Sequence, residues 1–124
     1  MQAHGEYRIV LVGSILHLYL AGDFNMEGSQ IVDEAILDAA PKNTPWALCE
    51  HQKDNSGLTP DAIEEIYLFY LKLKKLNCVA IGLELSNVWG EILRKAFSGK
   101  LDIPIYFNQN TSKLETLLKQ HLPP

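Results

Sequence analysis

The sequence is poor in cysteine and has no excess of positive charge. Its two cysteines, Cys49 and Cys78, form no C-x-x-C pattern and lie in apolar segments, so we expect two reduced thiols in the core rather than a disulfide framework. The 11 lysine and arginine residues are outnumbered by 15 aspartate and glutamate residues, which gives a net charge of −4. Phosphate binding depends on clustered cations, and the basic residues here are scattered, so nucleic acid is not an expected partner.

No apolar run is long enough to cross a bilayer. The best candidate, Ile9–Gly22, is short and is interrupted by Gly13 and His17. It also lacks the positively charged segment that precedes a secretory signal, because Glu6 offsets Arg8. We therefore expect a cytoplasmic protein without a transmembrane segment.

Local motifs of several enzyme classes are also missing. The sequence contains no G-x-S-x-G, G-x-x-x-x-G-K-[S/T] or G-x-G-x-x-G motif. The local motifs on which hydrolase, nucleotidase and dehydrogenase chemistry depends are therefore missing. Cys49 and His51 share a face of a predicted strand, as a catalytic pair would. On an apolar strand, however, such a pair is more often one core residue and one residue at the strand edge. His17 has no second ligand at metal-binding spacing. We therefore predict no enzyme activity, no catalytic residue, no metal and no cofactor.

The pattern of apolar residues predicts five strands and four helices. The strands are Tyr7–Val12, Ile15–Leu20, Trp46–Glu50, Val79–Leu83 and Ile103–Phe107. The helices begin at caps or proline signals and cover Asn25 to about Ala39, Thr59-Pro60 to about Leu76, Ser86 to Phe97, and a last helix opened by a capping box at Ser112–Glu115.

This order, β-β-α-β-α-β-α-β-α, predicts an α/β fold in a single domain over residues 5–122. Strands that alternate with helices form a mostly parallel sheet. Gly13-Ser14 is short enough for a hairpin of type II′, which adds one antiparallel strand. The expected architecture is a single mixed, mostly parallel five-stranded sheet with four helices.

Three segments of the sequence resemble those of a known family. They are Leu20-Ala21-Gly22-Asp23-Phe24-Asn25, Asp54-Asn55-Ser56-Gly57-Leu58 and the stretch Val79–Phe107. The chain resembles the STAS domain, the fold of the anti-anti-sigma factor SpoIIAA, and within it the divergent group of small stand-alone SpoIIAA-like bacterial proteins. In phosphorylated members the acceptor serine directly follows the aspartate of the loop. Asn55 holds that position here and its side chain cannot be phosphorylated, so Ser56 is the candidate phosphoacceptor that remains. The alternative is that Asp54–Gly57 simply form the turn that leads to the cap Thr59.

The outer faces of the first two predicted helices differ in character. The acidic residues of the first helix form what we interpret as a solvated face: Glu27, Asp33, Glu34 and Asp38. On the second helix, Tyr67, Leu68 and Leu71 project away from the arc that packs on the sheet. They are either covered by neighbouring helices or form a surface for a partner protein, a homodimer or the rim of an apolar pocket.

A small ligand cleft is a further expectation. Asn25, Asn55, Ser86 and Trp89 all follow strand ends, where open α/β sheets bind ligands. Trp89 also has a simpler explanation as a residue that packs a helix start on the sheet. The resemblance implies a regulatory protein-interaction module, and the alternative is a carrier of a small apolar ligand or lipid. A carrier would place the Tyr67, Leu68 and Leu71 surface beside an enclosed apolar cavity.

Overall fold

The alternation of strands and helices builds one five-stranded sheet, in the order β1-β2-β4-β6-β7. The computed structural model describes residues 2–52, 57–85, 87–97 and 99–124, and only the backbone of residues 57, 58, 87 and 89. The strands are Glu6–Val12 (β1), Ile15–Ala21 (β2), Asp23–Phe24 (β3), Trp46–Gln52 (β4), Gly57–Leu58 (β5), Cys78–Glu84 (β6) and Ile105–Phe107 (β7). The helices are Met26–Ala39 (α1), Pro60–Leu73 (α2), Asn87–Phe97 (α3) and Thr111–Lys119 (α4).

The mixed sheet predicted from the sequence is confirmed. β1 and β2 pair antiparallel through the Gly13-Ser14 turn, and β2, β4, β6 and β7 pair in parallel. Gly13 has a φ of 61°, and a hairpin turn of type II′ requires a positive φ at this first central position. β4 lies between β2 and β6, and this central place agrees with its continuous apolar run.

The two faces of the sheet carry separate cores. Parallel crossovers are right-handed, so three crossovers that advance in one direction place α1, α2 and α3 on the same face. That face buries Leu16, Leu18 and Leu48 under these helices. The other face carries α4, and its core contains Ile15, Ala47, Cys49, Ala80, Leu114 and Leu118. Because side chains alternate along a strand, β2 and β4 supply residues to both cores.

A second, very small sheet joins the beginnings of α1 and α2. β3 and β5 pair in parallel, with Asp23 opposite Gly57 and Phe24 opposite Leu58. The backbone N–H of Thr59 donates to the carbonyl of Phe24 at 3.2 Å. This pair is absent from the sequence-based prediction because two residues are too few to show a period of two.

The predicted caps of α1 and α2 are confirmed, and the predicted cap of α4 is corrected. Asn25 caps α1 by accepting from the N–H of Gly28 at 2.9 Å, and Thr59 caps α2. The predicted capping box at Ser112 is wrong. The cap of α4 is Asn110, whose Oδ1 accepts from the N–H of Lys113 at 3.1 Å, so Ser112 lies inside the first turn. Among the helices of the described residues, none combines the length and the apolar character needed to cross a membrane.

Candidate functional site

Two carboxyl groups lie at a cavity between α1, α2 and β4. The alternation of β4 turns Leu48 and Glu50 towards the helices, and Glu50 is only 5% exposed. Asp33 reaches the same cavity from α1, where it follows the buried Val32. Glu50 Oε2 and Asp33 Oδ2 are buried and have no hydrogen-bond partner among the described residues. Buried polar atoms of this kind are rare in folded proteins.

The rest of the cavity wall is mainly apolar. Most of its lining comes from aliphatic and aromatic side chains, including Leu20, Phe24, Ile36, Ile66, Phe69 and Tyr70. The cavity volume is about 20 Å³, which is enough for one water molecule or one ammonium group. A cavity with an apolar wall and a few convergent polar groups is the usual form of a small-molecule site.

Both carboxyl groups titrate far above their ordinary range. Burial raises the pKa of Glu50 to about 8, and the neighbouring Asp33 adds to this rise. Burial also raises the pKa of Asp33 to about 7, with a further rise from Glu65 and a smaller opposing effect from Lys72. Each group therefore changes its charge near neutral pH, which is typical of functional carboxyls.

The interpretation of Asp33 as part of a solvated acidic face is wrong. Glu34 and Asp38 are exposed, whereas Asp33 is half-buried at the cavity. Asp33 is one residue from Val32 and three from Ile36 along α1, both of which are buried. Its place on the helix therefore borders the buried stripe rather than the outer face.

A second polar cluster lies on the opposite face of the sheet. In the parallel register of β2 and β4, His17 lies opposite Cys49 and Tyr19 lies opposite His51. His17 Nδ1 is 2.9 Å from His51 Nε2, and Glu84 Oε2 on β6 is 3.5 Å from His51 Nδ1. The rings of Tyr19 and His51 stack with centroids 4.5 Å apart. Three neighbouring strands thus build one polar strip.

The electrostatics of this cluster do not resemble an activated cysteine–histidine pair. Burial raises the pKa of the Cys49 thiol to about 12, and Glu115, Glu84 and Glu50 raise it further. Burial also lowers the pKa of His17, with a further lowering from His51 and a rise from Glu115. Nucleophilic cysteines need a lowered thiol pKa, so the raised pKa favours the neutral thiol at Cys49.

Of the predicted cleft residues, Asn25 is the one whose side chain the structure describes. Its side chain is occupied: Oδ1 accepts from the N–H groups of Gly28 and His4, and Nδ2 donates to the carbonyl of Gln2 at 2.9 Å. Asn25 therefore fastens the N-terminal residues to α1. The predicted residues Ser86, Asp54, Asn55 and Ser56 lie outside the described residues, as does the side chain of Trp89, and Gly57 begins β5.

The predicted surface on α2 divides into two environments. Leu68 and Leu71 are exposed, at 45% and 41%. Tyr67 is half-buried: its ring stacks on Phe97 of α3 with centroids 6.0 Å apart, and its hydroxyl donates to the carbonyl of Lys100 at 3.4 Å. The apolar cavity lies on the other side of α2, where Ile66, Phe69 and Tyr70 line it. The expectation that a ligand carrier would have this surface beside its cavity is therefore not met.

The sequence analysis placed Cys49 and His51 on one strand face but did not join His17 to them, and it did not bring Glu50 and Asp33 together. Glu50 and Asp33 meet only when α1 packs over β4, and His17 meets Cys49 and His51 only through strand pairing. One signal was available for the first cluster, because a glutamate within the apolar strand Trp46–Gln52 faces the side that Leu48 faces. The second cluster needs the register, which no local pattern supplies.

The fold is shared with a solved structure. No family model matches this chain, and a search of curated proteins finds no match. One similar structure is that of an uncharacterised protein of the DUF3478 family with a SpoIIAA-like fold from Shewanella loihica PV-4. The TM-score is 0.62 at 13% identity, over 95% of this chain and 96% of that chain. The predicted SpoIIAA-like fold is therefore confirmed.

Proposed function

We propose that this SpoIIAA-like fold is a binding module for a small apolar molecule that carries a protonated amine, held at the cavity between α1, α2 and β4. One observation carries the proposal: Glu50 Oε2 and Asp33 Oδ2 are buried at an apolar cavity without a hydrogen-bond partner. A buried carboxylate that stays unpaired costs free energy. An ammonium group supplies both the missing donors and the opposite charge.

Other ligand classes fit this cavity less well. A carboxylate ligand would add a third negative group beside Glu50 and Asp33. A neutral apolar ligand would leave Glu50 Oε2 and Asp33 Oδ2 without a donor. The aromatic rings of Phe24, Phe69 and Tyr70 also line the cavity, and aromatic faces attract cations. The volume of about 20 Å³ matches the ammonium group itself.

The affinity for an alkylamine is expected to rise with pH. The pKa values of about 7 and about 8 mean that both carboxyl groups are mostly protonated below about pH 6 and mostly ionised above about pH 8.5. n-Butylamine stays protonated over this range, so its affinity should increase about tenfold or more as the carboxyl groups ionise. Calorimetric titration with n-butylamine in amine-free buffers measures this change.

Two controls make this experiment specific. Glu50→Gln should lose most of the affinity at about pH 8.5, whereas Glu34→Gln on the exposed side of α1 should not. n-Butanol has the same chain without the charge and should bind far more weakly. Equal binding of the alcohol, or an unchanged affinity in Glu50→Gln, would contradict the proposal.

A second candidate function is association through the outer face of α2 and α3. Both helices lie on one face of the sheet, and they expose Leu68 at 45%, Leu71 at 41%, Val88 at 70% and Ile92 at 41%. Exposed apolar side chains on neighbouring helices are typical of interaction surfaces. A second copy of this chain or a partner protein would cover them.

Leu71→Glu tests whether this face makes a homodimer. The side chain is exposed, so the free energy of unfolding should change little, whereas a buried charge at the interface should weaken dimerisation at least tenfold. Sedimentation equilibrium over a range of protein concentrations gives the mass. Gln30→Glu on the exposed face of α1 is the control for added charge. A monomeric wild-type protein at every concentration would rule out the homodimer.

A further inference from the structure

Three metal-ligating side chains from two adjacent strands converge on the α4 side of the sheet. His17, Cys49 and His51 each offer one ligand atom, and these atoms all lie within 4.8 Å of one another. The three residues are buried, at 6%, 0% and 7% exposure. We infer that His17, Cys49 and His51 form a binding site for a transition-metal ion of the zinc class.

The strand pairing explains why these atoms meet. His17 and Cys49 are partners in the parallel register of β2 and β4, so their separation is that of neighbouring strands. His51 follows Cys49 by two residues and therefore lies on the same face of β4. Ligands on paired strands are held more precisely than ligands on loops.

The spacing is close to that of a tetrahedral site. Zinc bonds of about 2.0–2.1 Å to nitrogen and about 2.3 Å to sulfur place neighbouring ligand atoms about 3.3–3.7 Å apart. His17 Nδ1 and His51 Nε2 are 2.9 Å apart and share a hydrogen bond, and all three ligand atoms lie within 4.8 Å of one another. An ion at this place would replace the hydrogen bond between the two imidazoles with two metal–nitrogen bonds.

The donor set selects the class of metal. Two imidazole nitrogens and one thiolate suit zinc, cobalt and copper, whereas calcium and magnesium prefer oxygen ligands. Three protein ligands leave one coordination position for water or another exchangeable molecule, as in zinc sites that bind a ligand. Binding displaces the proton of the Cys49 thiol, and this proton is released to solvent.

The neighbouring groups support a cation at this place. Glu84 Oε2 lies 3.5 Å from His51 Nδ1. A carboxylate that accepts from this nitrogen leaves Nε2 as the ligand atom, which is the usual arrangement behind a metal-bound histidine. Glu115 also acts electrostatically on both His17 and Cys49. Two carboxylates therefore offset the positive charge of the ion.

Titration with Co²⁺ and Zn²⁺ alone tests the site. Cobalt is the probe because a thiolate ligand gives it a strong charge-transfer absorption and a tetrahedral site gives it intense visible bands. We expect one Co²⁺ per chain with both signatures, displaced by one equivalent of Zn²⁺. We also expect release of about one proton per ion.

Variants assign the ligands. Cys49→Ser should abolish the charge-transfer absorption, and His51→Gln should lower the affinity at least tenfold. Cys78→Ser and His4→Ala change the same residue types away from the cluster and should leave both signatures unchanged. If a variant of a metal ligand fails to fold, the unfolding temperature of the wild-type protein still tests the site. Zn²⁺ should raise this temperature, and Mg²⁺ should not. A wild-type protein without thiolate-to-cobalt absorption, or with full absorption in folded Cys49→Ser, would overturn the inference.

Discussion

Glu50→Gln is expected to make the protein more stable above about pH 8, although it replaces a buried residue of the central strand. The pKa of Glu50 is about 8 in the folded protein, against an ordinary value of 4.5. Between these values the folded state binds more protons than the unfolded state, so the free energy of unfolding falls as pH rises. Each pKa unit corresponds to about 1.4 kcal/mol, so the ionised carboxylate costs several kcal/mol. Asp33 acts in the same direction.

Glutamine has almost the same shape as glutamate and no charge. The variant should therefore show a much flatter pH dependence, with a gain of several kcal/mol at about pH 9 and little change at about pH 5. Denaturant unfolding at both pH values, in amine-free buffer, measures the difference. Glu34→Gln is the matched control, because Glu34 is exposed on α1. A variant less stable than wild type at about pH 9 would contradict the burial of an unpaired carboxylate.

The same experiment connects stability to the proposed ligand. If a protonated amine pairs with Glu50 and Asp33, n-butylamine should restore stability to the wild-type protein at about pH 9 and not to Glu50→Gln. Groups that reduce stability are often kept where they serve binding or catalysis. The burial of Glu50 and Asp33 at one cavity would then both lower the stability of the ligand-free protein and provide the binding site for a cation.

Leu118→Ala is expected to destabilise the protein by about 2–5 kcal/mol, because it removes a fully buried side chain of α4 and leaves a cavity. Leu118 packs over Gly82 of β6. A Cβ atom on Gly82 would lie 3.2 Å from Leu118 Cδ1 and 3.4 Å from Leu114 Cδ2. Gly82 therefore permits the close approach of α4 to the sheet. Thermal or denaturant unfolding of the single variant measures the loss.

A double-mutant cycle tests whether Gly82 and Leu118 are coupled. Gly82→Ala alone should destabilise by about 1 kcal/mol through crowding, whereas in the Leu118→Ala background the added methyl group fills part of the cavity and should be neutral or stabilising. Gly90→Ala is the control, since its Cβ would be 3.9 Å from Leu85 Cβ and would have no atom of α4 within 4 Å. Its effect should simply add to that of Leu118→Ala. Additive effects of Gly82→Ala and Leu118→Ala would show that α4 does not pack as described.

Much of the architecture could be predicted because its signals are local. The Gly13-Ser14 turn lies between two apolar strands, Asn25 and Thr59 are good caps, and the run from Trp46 is too apolar for an edge strand. Each of these depends on residues within a few positions of one another. The resemblance to SpoIIAA-like proteins rested on short strings of the same kind.

The predictions that were wrong or incomplete concern contacts between distant segments. Ser112 is the exception, because the cap bond from the N–H of Lys113 to Asn110 Oδ1 lies within one turn of the chain. Asp33 was interpreted as solvated because a helical pattern does not reveal which neighbour covers its flank. His17 was interpreted as isolated because its nearest partners are more than 30 residues away in the chain.

The sequence by itself therefore determined the elements, their order and the mixed sheet, since backbone propensity, caps and the period of the apolar residues act over short distances. Tertiary structure alone decided which polar side chains meet. Packing of α1 over β4 brings Asp33 to the cavity of Glu50, and the pairing of β2 with β4 brings His17 to Cys49 and His51. Burial then changes the pKa values of these groups, because the cost of charge depends on what surrounds a side chain in space.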